Sequence, residues 1–86
     1  MPRALSMQRT VVPPGDRAKF LERAREREGH YTASNCQYWL FEEAALAGAF
    51  IEFIEAPDPA ALKGAHATAT EPPLDPARIY TRVDLG

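Results

Sequence analysis

The stretch CQYWLFEEAALAGAFIEFIEAPD, residues 36–58, is the most apolar part of the chain, yet four glutamates lie within it. In a helix, at about 100° per residue, these carboxylates would point to widely separated sides and leave no apolar face. As strands the stretch is consistent, because NCQYWLFEE and AFIEFIEA are rich in aromatic and β-branched residues. AALAG separates the two with a turn-length insert that ends in Gly48. The stretch therefore predicts a β-hairpin.

The second strand of this hairpin is apolar on both sides. Alternate side chains of a strand point to opposite faces, so Phe50, Glu52 and Ile54 share one face. Ile51 and Phe53 lie on the other face. A sheet with two apolar faces needs a cover on each of them.

The segments around the hairpin predict further elements. Upstream, ALSMQRTVV is typical of a strand ended by two prolines, and DRAKFLERAREREGH is typical of a helix with Asp16 as N-cap and Gly29 as C-terminal stop. Downstream, Asp58 as N-cap and Pro59 at the first helical position start a short second helix. The closing RIYTRVDL alternates apolar and polar residues, which predicts a half-buried strand.

The resulting β-α-β-β-α-β order predicts an α+β, ferredoxin-like fold, a four-stranded antiparallel sheet in the order 4-1-3-2 with two helices on one face. We expect one domain over residues 1–86. So short a chain is marginally stable alone, and its only cysteine, Cys36, cannot form an intrachain disulfide. The uncovered face of the sheet therefore predicts a homodimer with its two sheets packed face to face.

Composition narrows the choice of partners. Ten Lys and Arg against twelve Asp and Glu make the chain mildly acidic, which disfavours nucleic acid held by bulk electrostatics. The N-terminal MPRALSMQRT has no apolar stretch of signal-peptide length, and no span reaches the ~20 apolar residues of a membrane helix. We therefore expect a cytoplasmic protein with no membrane partner.

The pattern resembles the dimeric α/β barrel superfamily, and within it the antibiotic-biosynthesis-monooxygenase-like branch. The resemblance rests on RTVVPPGDRAKFLERA, a strand, a Pro-Gly turn and a helix, and on FIEFIEAPDPAALKGAHAT, a central strand followed by a short helix. It implies two ferredoxin-like protomers whose sheets close into a barrel, with a pocket in each between sheet and helices. It also implies cofactor-independent monooxygenase-type or isomerase-type chemistry on phenolic or quinone-like substrates.

His66 lies at the second-helix position where haem-degrading members of the superfamily have an iron-ligating histidine. Those enzymes also use an asparagine on the first strand and a tryptophan just before the second helix. This chain has Gln8 or Arg9 at the first of these places and the segment FIE at the second. We therefore predict no haem, no other cofactor and no metal.

Two side chains are the candidates for catalysis. His66 shares a helical stripe with Leu62 and Ala65, so it should face the sheet, where a pKa near neutrality suits a general base or a donor to a phenolic oxygen. The structural alternative is a core histidine bonded to a backbone carbonyl or to polar groups near Thr68. Glu52 lies mid-strand among apolar neighbours, where a carboxylate is either paired or raised in pKa.

The structural alternative for Glu52 is an ion pair with an arginine of the sheet, Arg9 or Arg82. Trp39, Tyr80 and Arg82 are the candidates for substrate binding. The rings of Trp39 and Tyr80 could stack on a flat ligand with a benefit of about 1 kcal/mol. The structural alternative is that the aromatic side chains pack in the core or at the dimer interface and contact no ligand. The arginines of RAREREG alternate with glutamates and predict a solvated helix face.

Together these patterns predict a small homodimeric α/β-barrel protein that binds a small apolar or aromatic molecule. As an enzyme it would use His66 or Glu52 to move a proton, with Trp39 or Tyr80 positioning the ligand. The alternative is a non-enzymatic dimeric binding module whose polar residues only satisfy the interface. The sequence leaves this choice open.

Overall fold

The computed structural model describes residues 3–86 of the chain. In order, the elements are β1 (Ala4–Val11), a 3-10 turn (Pro14–Asp16), α1 (Arg17–Ala33), β2 (Gln37–Glu42), β3 (Ala49–Ala56), α2 (Pro59–Ala67) and β4 (Tyr80–Thr81). The β-α-β-β-α-β order predicted from the sequence is confirmed.

The strands form one antiparallel sheet in the order β2-β3-β1-β4. This is the predicted 4-1-3-2 order, so the ferredoxin-like α+β fold is confirmed. β1 and β3 lie in the centre and pair along their whole length, from Ala4 opposite Ala56 to Val11 opposite Ala49. The two longest strands thus form the floor on which the helices pack.

Both helices cover the same face of this sheet. The core joins even-numbered positions of the central strands to residues of both helices, among them Ala4, Ile54, Ala56, Tyr31, Leu62 and Ala65. Phe20 of α1 stacks on Phe50 of β3 with 4.7 Å between the ring centroids. Even-numbered side chains of β3 therefore face the helices, and Glu52 is one of them.

The opposite face of the sheet has no cover within the described chain. Five large apolar side chains on it are between 40% and 61% exposed, namely Met7, Val11, Trp39, Phe41 and Tyr80. Their positions alternate with the buried ones, as the two-faced pattern of the hairpin predicts. The bare face expected from the sequence is present, and the homodimer that would cover it remains a prediction.

The hairpin turn depends on its glycine. Gly48 has a φ of +91°, and a Cβ at this position would lie 2.4 Å from the carbonyl oxygen of Val12. The amide of Val12 donates to the carbonyl of Gly48 at 2.7 Å, which holds the two chains this close. Only a residue without a Cβ fits the turn.

The predicted C-terminal end of α1 was wrong. Helix α1 runs through Gly29 to Ala33, and the left-handed residue after it is Asn35, with a φ of 62°. The extra turn buries Tyr31 completely, and this burial outweighs the cost of about 1 kcal/mol for a glycine inside a helix. At the other end of α1, Asp16 is the N-cap residue as predicted, although its side chain makes no cap hydrogen bond.

At the other end of the chain the last strand is only two residues long. Val83 is 73% exposed and Leu85 is 96% exposed, so the half-buried strand predicted for RIYTRVDL is wrong beyond Thr81. The start of α2 is as predicted, with the amide of Ala61 donating to the Asp58 carboxylate at 2.8 Å. Within residues 3–86, no helix has the length and apolar character needed to cross a membrane.

Candidate functional site

A cavity of about 540 Å³ lies between the centre of the sheet, α1 and the proline-rich loop that follows α2. Part of its wall is apolar, with Phe20 on α1, Ile54 on β3, and Pro72 and Leu74 on the loop. Several charged and hydroxyl side chains open into the same space, namely Ser6, Thr10, Lys19, Arg23, Arg27 and Glu52. A wall that combines apolar surface with converging polar groups is typical of small-molecule sites.

Glu52 is the buried acid of this cavity, with 6% of its side chain exposed. Its Oε2 accepts from Arg27 Nε at 2.8 Å and from the Tyr38 hydroxyl at 2.5 Å. The partner predicted for Glu52, Arg9 or Arg82, is therefore wrong. Arg9 lies on the other face of the sheet, where its Nη2 is 3.6 Å from Glu43.

The two donors to Glu52 come from different elements. Burial, followed by the hydrogen bond to Glu52, raises the pKa of the Tyr38 hydroxyl, which therefore stays protonated. The hydrogen bond to Glu52 raises the pKa of Arg27, although burial, the largest single influence, acts in the opposite direction. Arg27 is only 15% exposed, so the solvated helix face predicted for these arginines is wrong at this position.

One oxygen of Glu52 keeps its access to the cavity. Both donors bind Oε2, and no described residue donates to Oε1. No side-chain polar atom of the described residues is both fully buried and without a hydrogen-bond partner. Oε1 is therefore not fully buried, and because Glu52 lines the cavity, this oxygen is the one available to accept a proton or a hydrogen bond there.

His66 lies in a chain of three polar side chains. Its Nε2 is 2.8 Å from the Ser6 hydroxyl, and its Nδ1 is 2.8 Å from the Tyr31 hydroxyl. The partners proposed in the structural alternative, a backbone carbonyl or groups near Thr68, are therefore wrong. Burial, with a smaller contribution from the charge of His30, lowers the pKa of His66, so its ring is neutral at neutral pH. Burial likewise raises the pKa of Tyr31 to about 12.

Ser6 and Tyr31 line the cavity, whereas His66 lies behind them. Ser6 shares the helix-facing side of β1 with Ala4, and the register of the sheet sets it opposite Ile54. Any influence of His66 on a molecule in the cavity therefore passes through one of the two hydroxyls. No sequence pattern singles out Ser6, although its alternation with Ala4 places it on the covered face.

The three candidates for substrate binding lie away from this cavity. Trp39 is on the bare face, and Tyr80 pairs with Leu5 on that same face. Arg82 is exposed beyond the end of β4, and its backbone amide donates to the carbonyl of Arg3. None of the three lines the cavity that holds Glu52. As ligand contacts they stay a prediction, restricted to a site on the bare face.

Sequence reasoning missed three members of the site, Arg27, Tyr31 and Ser6. Tyr31 lies after Gly29, where the helix was expected to have ended. Arg27 and Tyr31 are one helical turn apart, so a helix extended to residue 33 would have placed both on one face. That spacing is the signal that could have found them.

The site does not fit a haem or a metal ion. Both ring nitrogens of His66 are engaged by protein hydroxyls, so the one lone pair of its neutral ring already accepts a hydrogen bond. Within the described part of the chain, no group of three or more His, Cys, Asp or Glu side chains is placed to hold a metal.

Comparison with known proteins adds support for the fold. No protein-family model matches the chain. No curated protein matches it either. Among solved structures, the chain is similar to that of Rv0793 from Mycobacterium tuberculosis, with a TM-score of 0.64 and 20% sequence identity over 100% of this chain and 97% of that one. At this level of identity the likeness shows a shared fold over the full length.

Proposed function

We propose that the chain binds a small, largely apolar and aromatic molecule in the cavity beside Glu52, and that it does so as a homodimer. One observation carries the proposal: a cavity of about 540 Å³ joins apolar walls to a buried carboxylate with one oxygen open to the interior. If Glu52 had only a structural role, we would expect the space around it to be filled by packed side chains. A ligand with an aromatic body would occupy it and stack near Phe20.

The chemistry that suits this cavity is the movement of a proton. Oε1 of Glu52 is the group that would take a proton from a ligand, and Arg27 and Tyr38 hold the carboxylate in place by its other oxygen. Isomerase-type or cofactor-independent monooxygenase-type reactions both begin with such a step on a phenol or an enolisable ketone. The resemblance to the antibiotic-biosynthesis-monooxygenase-like branch supports the same assignment.

The homodimer is supported by the bare face of the sheet. Its large apolar side chains are about half exposed in the single chain, and soluble monomers seldom leave so wide an apolar surface uncovered. A second copy placed face to face would bury Trp39 and Phe41 and leave both cavities accessible. Light scattering should give twice the mass of the chain, and a mass of one chain at all concentrations would contradict the dimer.

The binding test uses 2-acetonaphthone, a flat ketone, titrated into the protein by calorimetry. We expect saturable binding that is lost in Thr10→Trp, because Thr10 lines the cavity and an indole there would fill it. The control is Lys63→Trp, an exposed position on α2 away from the cavity. Equal binding by both variants, or no binding by the wild type, would contradict the proposed site.

The choice between enzyme and binding module is tested with the same ketone in deuterium oxide. Proton abstraction by Glu52 predicts faster exchange of its methyl hydrogens than in buffer, seen by proton NMR, and loss of that acceleration in Glu52→Gln. The alternative, a non-enzymatic binding module, is favoured by the two hydrogen bonds that Oε2 accepts, because they satisfy the carboxylate as a structural residue. Exchange no faster than in buffer, with binding intact, would select that alternative.

A further inference from the structure

We infer that Ser6 is the residue that holds the oxygen atom of the ligand, with its hydroxyl proton directed into the cavity by a chain of hydrogen bonds from Tyr31 through His66. The inference rests on the proposed function and specifies the ligand class further. The ligand is a flat apolar molecule whose oxygen accepts a hydrogen bond, a ketone or a phenolate. Sequence reasoning did not identify Ser6.

The first step is a count of protons. A neutral imidazole has one N–H and one unprotonated nitrogen, and each hydroxyl has one proton. Ser6, His66 and Tyr31 thus hold three protons between them, while the two hydrogen bonds of the chain use only two. One hydroxyl proton is always left over, at the Ser6 end or at the Tyr31 end. Among the described residues, neither hydroxyl forms a hydrogen bond with any group other than His66.

The second step decides which end donates outward. A phenol is a stronger hydrogen-bond donor and a weaker acceptor than an aliphatic hydroxyl, because its oxygen lone pair is delocalised into the ring. Tyr31 therefore donates to Nδ1, and the proton on Nε2 is donated to Ser6. Ser6 is left with a free proton, and its side chain lines the cavity. Donors aligned in such a chain polarise one another and strengthen the last member.

The third step places this donor relative to Glu52. In the β1–β3 register Ser6 lies opposite Ile54, so Glu52 is its diagonal neighbour on the same face, roughly 7 Å away between side chains. That distance suits a ligand whose oxygen contacts Ser6 while an adjacent carbon faces Oε1 of Glu52. When Glu52 removes the proton of that C–H bond, the electron pair forms a C=C bond and the oxygen becomes an enolate. The Ser6 hydroxyl then stabilises the new charge by its hydrogen bond.

The test compares 2-acetonaphthone with 2-isopropenylnaphthalene, which has the same shape but a CH₂ group in place of the oxygen. The wild type should bind the ketone about tenfold more tightly than the alkene, because one hydrogen bond distinguishes the two. Ser6→Ala should bind both equally, at the affinity of the wild type for the alkene. Thr32→Val removes an exposed hydroxyl of α1 that does not line the cavity, and it should keep the preference.

A second measurement needs no change at Ser6. Nitrogen chemical shifts of the imidazole ring distinguish a protonated from an unprotonated nitrogen, and the proposal places the proton of His66 on Nε2. The chain has two histidines, so a His30→Gln variant assigns the signals. In Tyr31→Phe the proton should no longer be confined to Nε2, and the preference for the ketone should fall, since the hydrogen bond from Tyr31 to Nδ1 is what holds the proton on Nε2.

The outcomes separate this inference from the proposed function. If both ligands bind and the wild type shows no preference, or if Ser6→Ala keeps the preference, the role of Ser6 is overturned and the binding cavity stands. A proton of His66 on Nδ1 in the wild type would overturn the direction of the chain and with it the inference. If neither ligand binds, the proposed function is contradicted, and so is this inference, which depends on it.

Discussion

Arg27 of α1 donates through Nε to Oε2 of Glu52 on β3 at 2.8 Å, and the two side chains are 15% and 6% exposed. The pair joins helix to sheet at the floor of the cavity. Glu71, from the loop that closes the cavity, contacts Arg27 Nη1 at 3.1 Å. A single arginine therefore connects the buried acid, the helix and the loop.

Loss of Arg27 should destabilise the fold strongly. Arg27→Met would leave the Glu52 carboxylate buried beside Tyr38 without its cation, which should lower the free energy of unfolding by about 3–5 kcal/mol. Urea denaturation followed by circular dichroism measures this. The matched control is Arg25→Met on the exposed side of the same helix, where we expect a change within about 0.5 kcal/mol.

A double variant separates the ion pair from packing. Arg27→Met combined with Glu52→Met replaces both charges by apolar side chains, and it should recover much of the stability lost in Arg27→Met. If Arg27→Met is no less stable than Arg25→Met, the Arg27–Glu52 ion pair does not contribute the predicted free energy of unfolding.

Glu42 should make stability depend on pH in the acid range. Hydrogen bonds from Arg17, and then from the amide of Gly48, lower the pKa of Glu42 from its usual 4.5 to about 2. A carboxyl with a lower pKa in the folded than in the unfolded state contributes stability that is complete above pH 4.5 and is lost as the pH falls toward 2.

Urea midpoints at pH 7 and pH 3 test this contribution. The wild type should lose more stability between the two than Glu42→Gln, which has no charge to protonate. Glu43→Gln, one residue along and more exposed, serves as the comparison and should follow the wild type. An acid-induced loss in Glu42→Gln equal to that of the wild type would contradict the role of Glu42.

Two glycines should respond to alanine in opposite directions. At Gly48 a Cβ would meet the carbonyl oxygen of Val12 at 2.4 Å, and the φ of +91° is strained for alanine, so Gly48→Ala should destabilise by about 2 kcal/mol or more. At Gly29, inside α1, nothing lies within 4 Å of the added atom. Gly29→Ala should stabilise by about 0.5–1 kcal/mol, and thermal unfolding of both variants measures the contrast.

Local rules predicted the order of the elements and the topology of the sheet. Aromatic and β-branched content identified both strands of the hairpin, and Asp58 with Pro59 predicted the start of α2, because strand propensity and capping act within a few residues. The end of α1 was mispredicted because Gly29 is a good stop signal that the burial of Tyr31 overrides. The last strand was predicted too long, because alternation of apolar and polar residues does not ensure that a neighbouring strand is present to pair with them.

The candidate site was harder to predict than the fold. Glu52 and His66 could be singled out because each is a polar residue in an apolar pattern. Their partners could not, because Arg27 reaches Glu52 only once the rotation of α1 and the helix-facing side of β3 are both known. Ser6 and Tyr31 meet through His66 across three separate elements, a contact that no sequence spacing encodes.

The bare face of the sheet gives the last prediction, which concerns assembly. Phe41 on β2 is 55% exposed and packs edge to face against Phe53 at 5.8 Å between ring centroids. In the proposed dimer a second copy would cover it, so Phe41→Glu should place a charge in a dry interface and shift the protein to a monomer. Light scattering over a range of concentrations measures this. Lys63→Glu, a charge change on the helical side, should leave the dimer intact, and a Phe41→Glu variant with unchanged mass would show that this face is not the interface.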